Sequence, residues 1–253
     1  MNLLLFSLIT IFLVFGGTLL YRFDGRKSLF NIDFVQFLYS FLILPLIFVS
    51  MKVFLYQTLS EMAVLSARQL FAVDTLLSVL FLYFSAAMAI HTITKSFSLH
   101  QKSKPSFDIW HVSEYLHMWW SHVVMYVLAL CIFTVFSITN LIFPLTETEL
   151  ARQSFYASLF LGSFIGVFLY TIIWNTKLGT GNFLAFMKIV FAFFFTVHAS
   201  SYIRFRPDFT AEYLVFWMMF SLFFTTVLFS FFLEKSRHVQ KWRTWFQPGH
   251  WGK

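Results

Sequence analysis

The chain has 253 residues, of which 59% are hydrophobic, 22% are aromatic and 11% are charged, and its formal net charge is +7. A chain so poor in polar residues cannot cover the surface of a soluble globule, so the composition excludes that class and predicts an all-α, polytopic integral membrane protein. Membrane topology and attraction to anionic lipids account for the positive charge, which leaves no separate support for nucleic-acid binding.

The first apolar run, residues 3–21, has no Lys or Arg before it and three basic residues soon after it, Arg22, Arg26 and Lys27. A cleaved signal peptide carries its positive charge on the opposite side of the apolar run. We therefore expect a first span that stays in the membrane, with the N-terminus outside.

A second span is predicted over residues 34–51, an amphipathic stretch over 52–69 and a third span over 70–94. Four polar residues of the third span lie within about 40° of one another on a helical wheel, so they must face protein rather than lipid. They form a candidate polar stripe of Asp74, Ser78, Ser85 and Thr92. Asp74 fits a capping or water-facing role better than a coupling-ion ligand, because it lies about one turn inside the outer interface.

The most polar stretch opens the fourth helix, where residues 108–122 read D-I-W-H-V-S-E-Y-L-H-M-W-W-S-H. This helix is expected to run to residue 140, a length of about 50 Å, and so to extend beyond a hydrocarbon core of about 30 Å. On a regular α-helix its polar face spans about 140°. The candidate site residues on it are His111, Glu114, His117 and His122. The simpler interpretation is a hydrated overhang or a partner contact.

Three further spans are predicted over residues 154–174, 183–202 and 211–233. The predicted architecture is therefore about seven transmembrane helices in one domain, residues 1–233, followed by a basic, Trp-rich tail, residues 234–253, at the inner face. With the N-terminus outside, twelve Lys and Arg fall on the inner side and five on the outer side, as the positive-inside rule expects. A bacterial plasma membrane or an organellar inner membrane is the expected location.

Lys188 lies about two turns in from the inner end of the sixth span and is a further candidate site residue. It either snorkels to the interface or pairs with a carboxylate. Glu114 enters the membrane from the same face. Pairing of Glu114 with Lys188, bridged by His91, His117 or water, offsets part of the cost of burying each charge. We therefore predict that the fourth and sixth helices approach each other there.

Cofactor motifs in the chain are incomplete. Glu114-x-x-His117 has the spacing of half a di-iron site, but no second copy occurs. A b-type haem needs two His on different helices at similar depth, and His91 with His111 or His117 is the geometrically sensible pair. Haem or metal ligation by His91, His111 and His117 is therefore one hypothesis, and bound lipids are expected in any case.

Seven spans with Ser113-Glu114 on a helix resemble subunit III of the haem-copper oxidases. In that family the glutamate-bearing helix is the third, whereas here it is the fourth. The resemblance covers two residues, and it implies a role as a subunit rather than a catalytic centre.

Three functions are consistent with these patterns. The first is a non-catalytic, aromatic-rich subunit of a larger energy-transducing or respiratory complex, with the bilayer and other membrane subunits as partners; small loops and only 9 Gly favour it. The second is a haem- or metal-dependent redox protein that uses His91 and the His111/Glu114/His117 cluster. The third is a small transporter or channel with Asp74, Glu114 and Lys188 as its charged relay.

Overall fold

The computed structural model of the protein describes residues 28–30, 32–59, 65–101, 108–146, 149–175, 182–233 and 235–245. Contacts along the chain divide these residues into two units. Unit 1 holds the described residues up to Ile132, and unit 2 holds those from Phe133 onward. The first predicted span, residues 3–21, lies outside the described residues, and the single domain over residues 1–233 stays a prediction.

Unit 1 consists of a small antiparallel hairpin followed by long helices. The strands are β1 (Ser28–Leu29) and β2 (Ile32–Asp33). The helices are α1 (residues 34–59), α2 (Ala67–Gln101) and the first part of α3 (residues 108–142). π-Helical turns occur in α1 at Tyr39–Ile43 and Phe54–Leu59, and in α3 at Leu116–Ser121.

Capping side chains explain where α1 and α2 begin. One carboxylate oxygen of Asp33 accepts hydrogen bonds from the N–H groups of Val35 at 3.0 Å and Gln36 at 3.2 Å. Ahead of α2, the Ser66 N–H donates to Gln69 Oε1 at 2.8 Å and the Gln69 N–H donates to Ser66 Oγ at 3.4 Å, which is a capping box. Each helix therefore starts where side chains satisfy N–H groups that the helix itself leaves free.

Unit 2 holds the rest of α3 and four further helices. These are α4 (Glu149–Asn175), α5 (Asn182–Phe205), α6 (residues 211–233) and α7 (Arg237–Trp245). α6 opens with a 3-10 turn at Ala211–Tyr213 and ends in a π-helical segment at Leu228–Leu233. The predicted tail thus includes a short helix, while its contacts with lipid or a partner stay a prediction.

Helices α4 and α6 pack with their backbones in close approach at Gly162 and Gly166. A Cβ atom at Gly162 would lie 2.1 Å from the carbonyl oxygen of Met218, and one at Gly166 would lie 2.5 Å from that of Leu222. The two glycines are four residues apart, the spacing that lets helices in a membrane pack backbone to backbone. Any side chain at either position would force the two helices apart.

Asn140, near the end of α3, caps the start of α6. Its Oδ1 accepts hydrogen bonds from the N–H groups of Val215 and Phe216, both at 3.0 Å, and its Nδ2 donates to the carbonyl oxygen of Glu212 at 2.9 Å. Asn140 is fully buried. A side chain from another helix therefore satisfies the free N–H groups of α6 where water is excluded.

Six helices of the described part are long and apolar enough to cross a membrane. They are Phe34–Tyr56, Ala67–Phe97, His111–Ile142, Ser154–Trp174, Phe183–Phe205 and Ala211–Leu233. The predicted fifth and seventh spans coincide with two of them, and the predicted second, third and sixth spans are a few residues too short. Apart from the hairpin, the described part is therefore an all-helical, multi-pass, aromatic-rich protein of the membrane type.

Candidate functional site: a buried histidine cluster

Three histidines of unit 1 lie in mutual contact, His91 from α2 with His117 and His122 from α3. We call them the histidine cluster. The ring centroid of His91 lies 4.5 Å from that of His117 and 4.6 Å from that of His122, and the His117 and His122 centroids are 5.9 Å apart. His91 is only 7% exposed. Three imidazoles of two membrane-type helices thus share one site, in which His91 is buried and His117 and His122 are half-buried.

The π-helical turn Leu116–Ser121 brings His117 and His122 together. In a regular α-helix, residues five apart lie about 140° from each other, at opposite limits of the predicted polar face. A π turn contains one additional residue and pairs residue i with residue i+5, so that the two lie one above the other. His122 Nδ1 accordingly lies 2.8 Å from the carbonyl oxygen of His117. The π turn therefore changes the geometry expected for a regular α-helix, and it brings His117 and His122 of the predicted polar face together.

Hydrogen bonds define which nitrogens of the cluster carry protons when the rings are neutral. Ser121 Oγ donates to the carbonyl oxygen of His117 at 2.6 Å, so the serine accepts from His91 Nδ1, 3.2 Å away. His122 Nδ1–H also donates to the His117 carbonyl oxygen, because a carbonyl can only accept. Both rings therefore keep their proton on Nδ1 and present Nε2 as an acceptor.

His117 differs from the other two members of the cluster. Its Nδ1 is buried and has no hydrogen-bond partner among the described residues. Buried polar atoms are nearly always paired, and the exceptions concentrate at sites with a chemical role. Of the three Nδ1 atoms of the cluster, that of His117 is therefore the one without a hydrogen bond to the described residues.

Further polar groups of unit 1 surround the cluster. Lys95, about one turn after His91 on α2, is 7% exposed and lies close enough to act electrostatically on all three imidazoles. Beside it, Ser113 Oγ of α3 donates to the carbonyl oxygen of Thr94 at 2.9 Å. The site is thus a polar region between α2 and α3 rather than an isolated histidine contact.

Of the other predicted site residues, His111 and Glu114 lie on α3 ahead of the π-helical turn, and Lys188 lies in the other unit. His111 is exposed and Glu114 is half-buried on the first turns of α3. Lys188 belongs to unit 2, where its ammonium lies 5.9 Å from the ring centroid of Phe231, a cation–π contact. The pairing of Glu114 with Lys188 stays a prediction.

The predicted polar stripe of α2 makes contacts within unit 1. Asp74 forms an ion pair with Lys52 of α1, whose ammonium also donates to Ser78 Oγ at 2.6 Å. At the other end of the stripe, Thr92 Oγ1 lies 2.7 Å from Ser40 Oγ of α1. Between them, Ser85 Oγ donates to a carbonyl oxygen of its own helix. The stripe therefore faces protein at both ends, and Asp74 is an ion-pair partner.

Sequence reasoning missed Lys52 and Ser40 as partners of the stripe. Lys52 was included only in the amphipathic stretch, although α1 continues as a helix through it. The available signal was one unexplained positive charge and one unexplained carboxylate on neighbouring apolar runs, a pattern that indicates pairing in a membrane.

The cluster does not fit a haem as it stands. Two axial imidazoles hold a haem iron from opposite sides of a planar macrocycle. The rings of His91 and His117 are in direct contact, so no macrocycle fits between them. Within the described ranges, no group of three or more His, Cys, Asp or Glu side chains is placed to hold a metal ion.

No protein-family model, curated protein or solved structure matches this chain.

Proposed function

We propose that the protein is a non-catalytic integral membrane subunit of a larger, energy-transducing assembly, and that the histidine cluster is its proton-handling site. The observation that supports this proposal is the mutual contact of His91, His117 and His122 in unit 1. Imidazole is the side chain whose charge changes near neutral pH. Ionisable groups are rare within spans because burying them there is costly. Those that do occur often belong to proton relays.

The hydrogen bonds of the cluster are suited to accepting a proton. Ser121 and the His117 carbonyl hold the Nδ1 protons of His91 and His122, which leaves both Nε2 atoms as acceptors. A proton that enters therefore meets two acceptor nitrogens, with the third ring in contact with both. Transfer from ring to ring requires a side-chain movement that brings two ring nitrogens within hydrogen-bond distance.

The proposal keeps the seven-span topology, with residues 3–21 as the first span, the N-terminus outside and the C-terminus inside. In that orientation α2 ends and α3 begins at the inner face, so the cluster lies toward that face. A bacterial plasma membrane or an organellar inner membrane, and a respiratory or electron-transport assembly, are the settings in which a proton site has a use.

A small transporter or channel is the second candidate. The Lys52–Asp74 ion pair favours it, since both residues lie within candidate spans. Asp74 and His91 are separated by about 26 Å along α2, which comes close to the thickness of the hydrocarbon core. The redox alternative has weaker geometric support, because His91 and His117 would have to separate to admit a haem.

Nuclear magnetic resonance of the full-length protein, ¹⁵N-labelled at histidine and reconstituted in lipid bilayers, tests the proton site. His91, His117 and His122 are expected to titrate as a coupled set, because their rings lie in contact. His91→Gln should remove the coupling of His91 with His117 and His122 and leave the signal of the exposed His238 unchanged. Independent titration of the three imidazoles in the wild-type protein would refute the proton site.

The subunit part of the proposal has a separate test. Extraction from the native membrane in mild detergent should yield the protein together with stoichiometric membrane partners. A homogeneous monomer from the same extract would contradict this part and would favour the transporter or channel.

A further inference from the structure

The end of α5 carries two arginines beside an open cavity in unit 2. Ser200, Ile203, Arg204 and Arg206 line this cavity. The candidate span of α5 ends at Phe205, and the next begins at Ala211. The cavity therefore lies where the chain passes from the hydrocarbon core to the headgroup layer.

The backbone holds Arg206 in an unusual conformation. Its φ angle is +47°, in the left-handed region that favours glycine, and its N–H donates to the carbonyl oxygen of Tyr202 at 2.8 Å, which closes the helix. Pro207 follows and is buried, so the helix cannot continue. Glycine would meet these backbone demands better. The left-handed backbone therefore does not by itself account for an arginine at this position.

Aromatic rings frame the same end of unit 2. The Trp217 ring lies 5.6 Å from Tyr202 and 5.0 Å from Phe209, as edge-on contacts between centroids. Its indole N–H donates to the carbonyl oxygen of Asp208 at 2.9 Å. Tyr and Trp at the end of a span are typical of the membrane interface. The loop after α5 is thus ordered at headgroup depth.

Neither guanidinium in this cavity is neutralised by a carboxylate of the described residues. Among the residues that the structure describes, the ion pair is the one between Lys52 and Asp74, which lies in unit 1 and not at this cavity. Arg204 and Arg206 are both exposed. Guanidinium groups bind phosphate oxygens through paired, charge-assisted hydrogen bonds, and at this depth the phosphates available are those of lipid headgroups.

We propose that this cavity is a binding site for the phosphodiester group of an anionic phospholipid. Arg204 and Arg206 hold the phosphate oxygens, and the Ser200 hydroxyl donates a further hydrogen bond. Ile203, which is 69% exposed, lies beside the first part of the acyl chains. Inorganic phosphate has the same charged group but no chain for Ile203 to contact, so the lipid is the ligand. This site is independent of the histidine cluster.

Native mass spectrometry of the full-length protein in detergent can count bound phosphatidylglycerol, with phosphatidylcholine as the zwitterionic comparison. Arg206→Gly and Arg204→Gln should each weaken phosphatidylglycerol binding by about tenfold or more, the change expected when hydrogen bonds to a charged group are lost. Arg206→Gly should also keep or raise the melting temperature, because glycine suits the left-handed backbone. Arg237→Gln, which changes an exposed arginine of α7, is the matched control and should leave binding at this site unchanged.

Three results would overturn the lipid site. Both variants could bind phosphatidylglycerol as tightly as the wild type, phosphatidylcholine could bind equally well, or inorganic phosphate could compete at equal concentration. If Arg206→Gly lowers the melting temperature, its loss of lipid binding could come from unfolding. The phosphatidylglycerol count of Arg204→Gln then decides whether the site exists, because Arg204 lies within the regular helix α5.

Discussion

Units 1 and 2 use buried polar side chains in different ways. In unit 1 the helices are joined side chain to side chain, as in the Lys52–Asp74 pair and the contact of His91 with Ser121. In unit 2 polar side chains bond to the backbone of a neighbouring helix: Thr226 Oγ1, for example, donates to the carbonyl oxygen of Gly166 at 3.2 Å, a type of contact that Ser113 also makes in unit 1. A bond to backbone secures helix packing. A contact between ionisable side chains is not needed for packing. Unit 1 is therefore the unit in which we look for a chemical role.

Histidine shows the same difference. His198 of unit 2 is fully buried, and its Nδ1–H donates to the carbonyl oxygen of Phe194 at 2.8 Å. Its ring lies 4.6 Å from that of Phe223 and 6.0 Å from that of Phe216. His198 is thus a single imidazole in an aromatic core, whereas His91 contacts two other imidazoles. Burial alone therefore does not identify a site, but contact among several titratable groups does.

The largest expected effect is on the glycine contact of unit 2. Gly162→Leu should lower the free energy of unfolding by more than about 3 kcal/mol, because a side chain there collides with the backbone of α6. Titration with a denaturing detergent, followed by circular dichroism, measures the change. Ala157→Leu adds similar volume on an exposed face of α4 and is the control. Equal losses in the two variants would show that the close approach does not stabilise unit 2.

A smaller loss is expected at Asn140. Asn140→Leu leaves two N–H groups at the start of α6 without an acceptor in a buried place, which should cost about 2–3 kcal/mol of unfolding free energy. Ser137→Ala removes a buried hydroxyl that has no hydrogen-bond partner among the described residues, one turn earlier on α3. That control should change stability little. A loss from Ser137→Ala as large as that from Asn140→Leu would rule out capping as the cause.

The smallest effect concerns the ion pair of unit 1, whose side chains are 24% and 21% exposed. A double-mutant cycle of Lys52→Met and Asp74→Asn should give a coupling energy of about 1–2 kcal/mol, between the values of surface and buried pairs. Unfolding of the wild type, the two single variants and the double variant provides the four stabilities needed. The control is a double-mutant cycle of Lys52→Met with Ser85→Ala. Its coupling energy should be near zero, because Ser85 bonds a carbonyl oxygen of its own helix. Coupling near zero for the charged pair would mean that the side-chain contacts of unit 1 contribute no stability.

The membrane class and the positions of the spans could be predicted from the sequence. A run of about twenty apolar residues is a local property of the sequence, and its length matches the thickness of the hydrocarbon core. The predicted spans over residues 154–174 and 211–233 therefore have the bounds of two apolar helices in the structure. The polar stripe of α2 was predictable for the same reason, because helical periodicity places Asp74, Ser78 and Thr92 on one face. Which residues these side chains contact was not predictable, since that depends on the register between two helices.

Two features needed local geometry that residue types do not specify. The π turn at Leu116–Ser121 places His122 beside His117, whereas a regular helix keeps them apart. The spacing of Gly162 and Gly166 is visible in the sequence, but the spacing does not identify the helix that these glycines contact. That these two face α6 follows only from how α4 and α6 cross.

The sequence by itself determined that this is a helical protein of the membrane type, which of the described helices are long and apolar enough to span a bilayer, and which residues within them are polar. Those properties follow from transfer of side chains between water and hydrocarbon, and each residue contributes independently of the others. Only the tertiary structure decided that His91 meets His117 and His122, that Asp74 meets Lys52, and that Arg206 ends α5 beside an open cavity. Such contacts join residues distant in sequence, and they depend on helix register and backbone conformation, which no single stretch of the chain encodes.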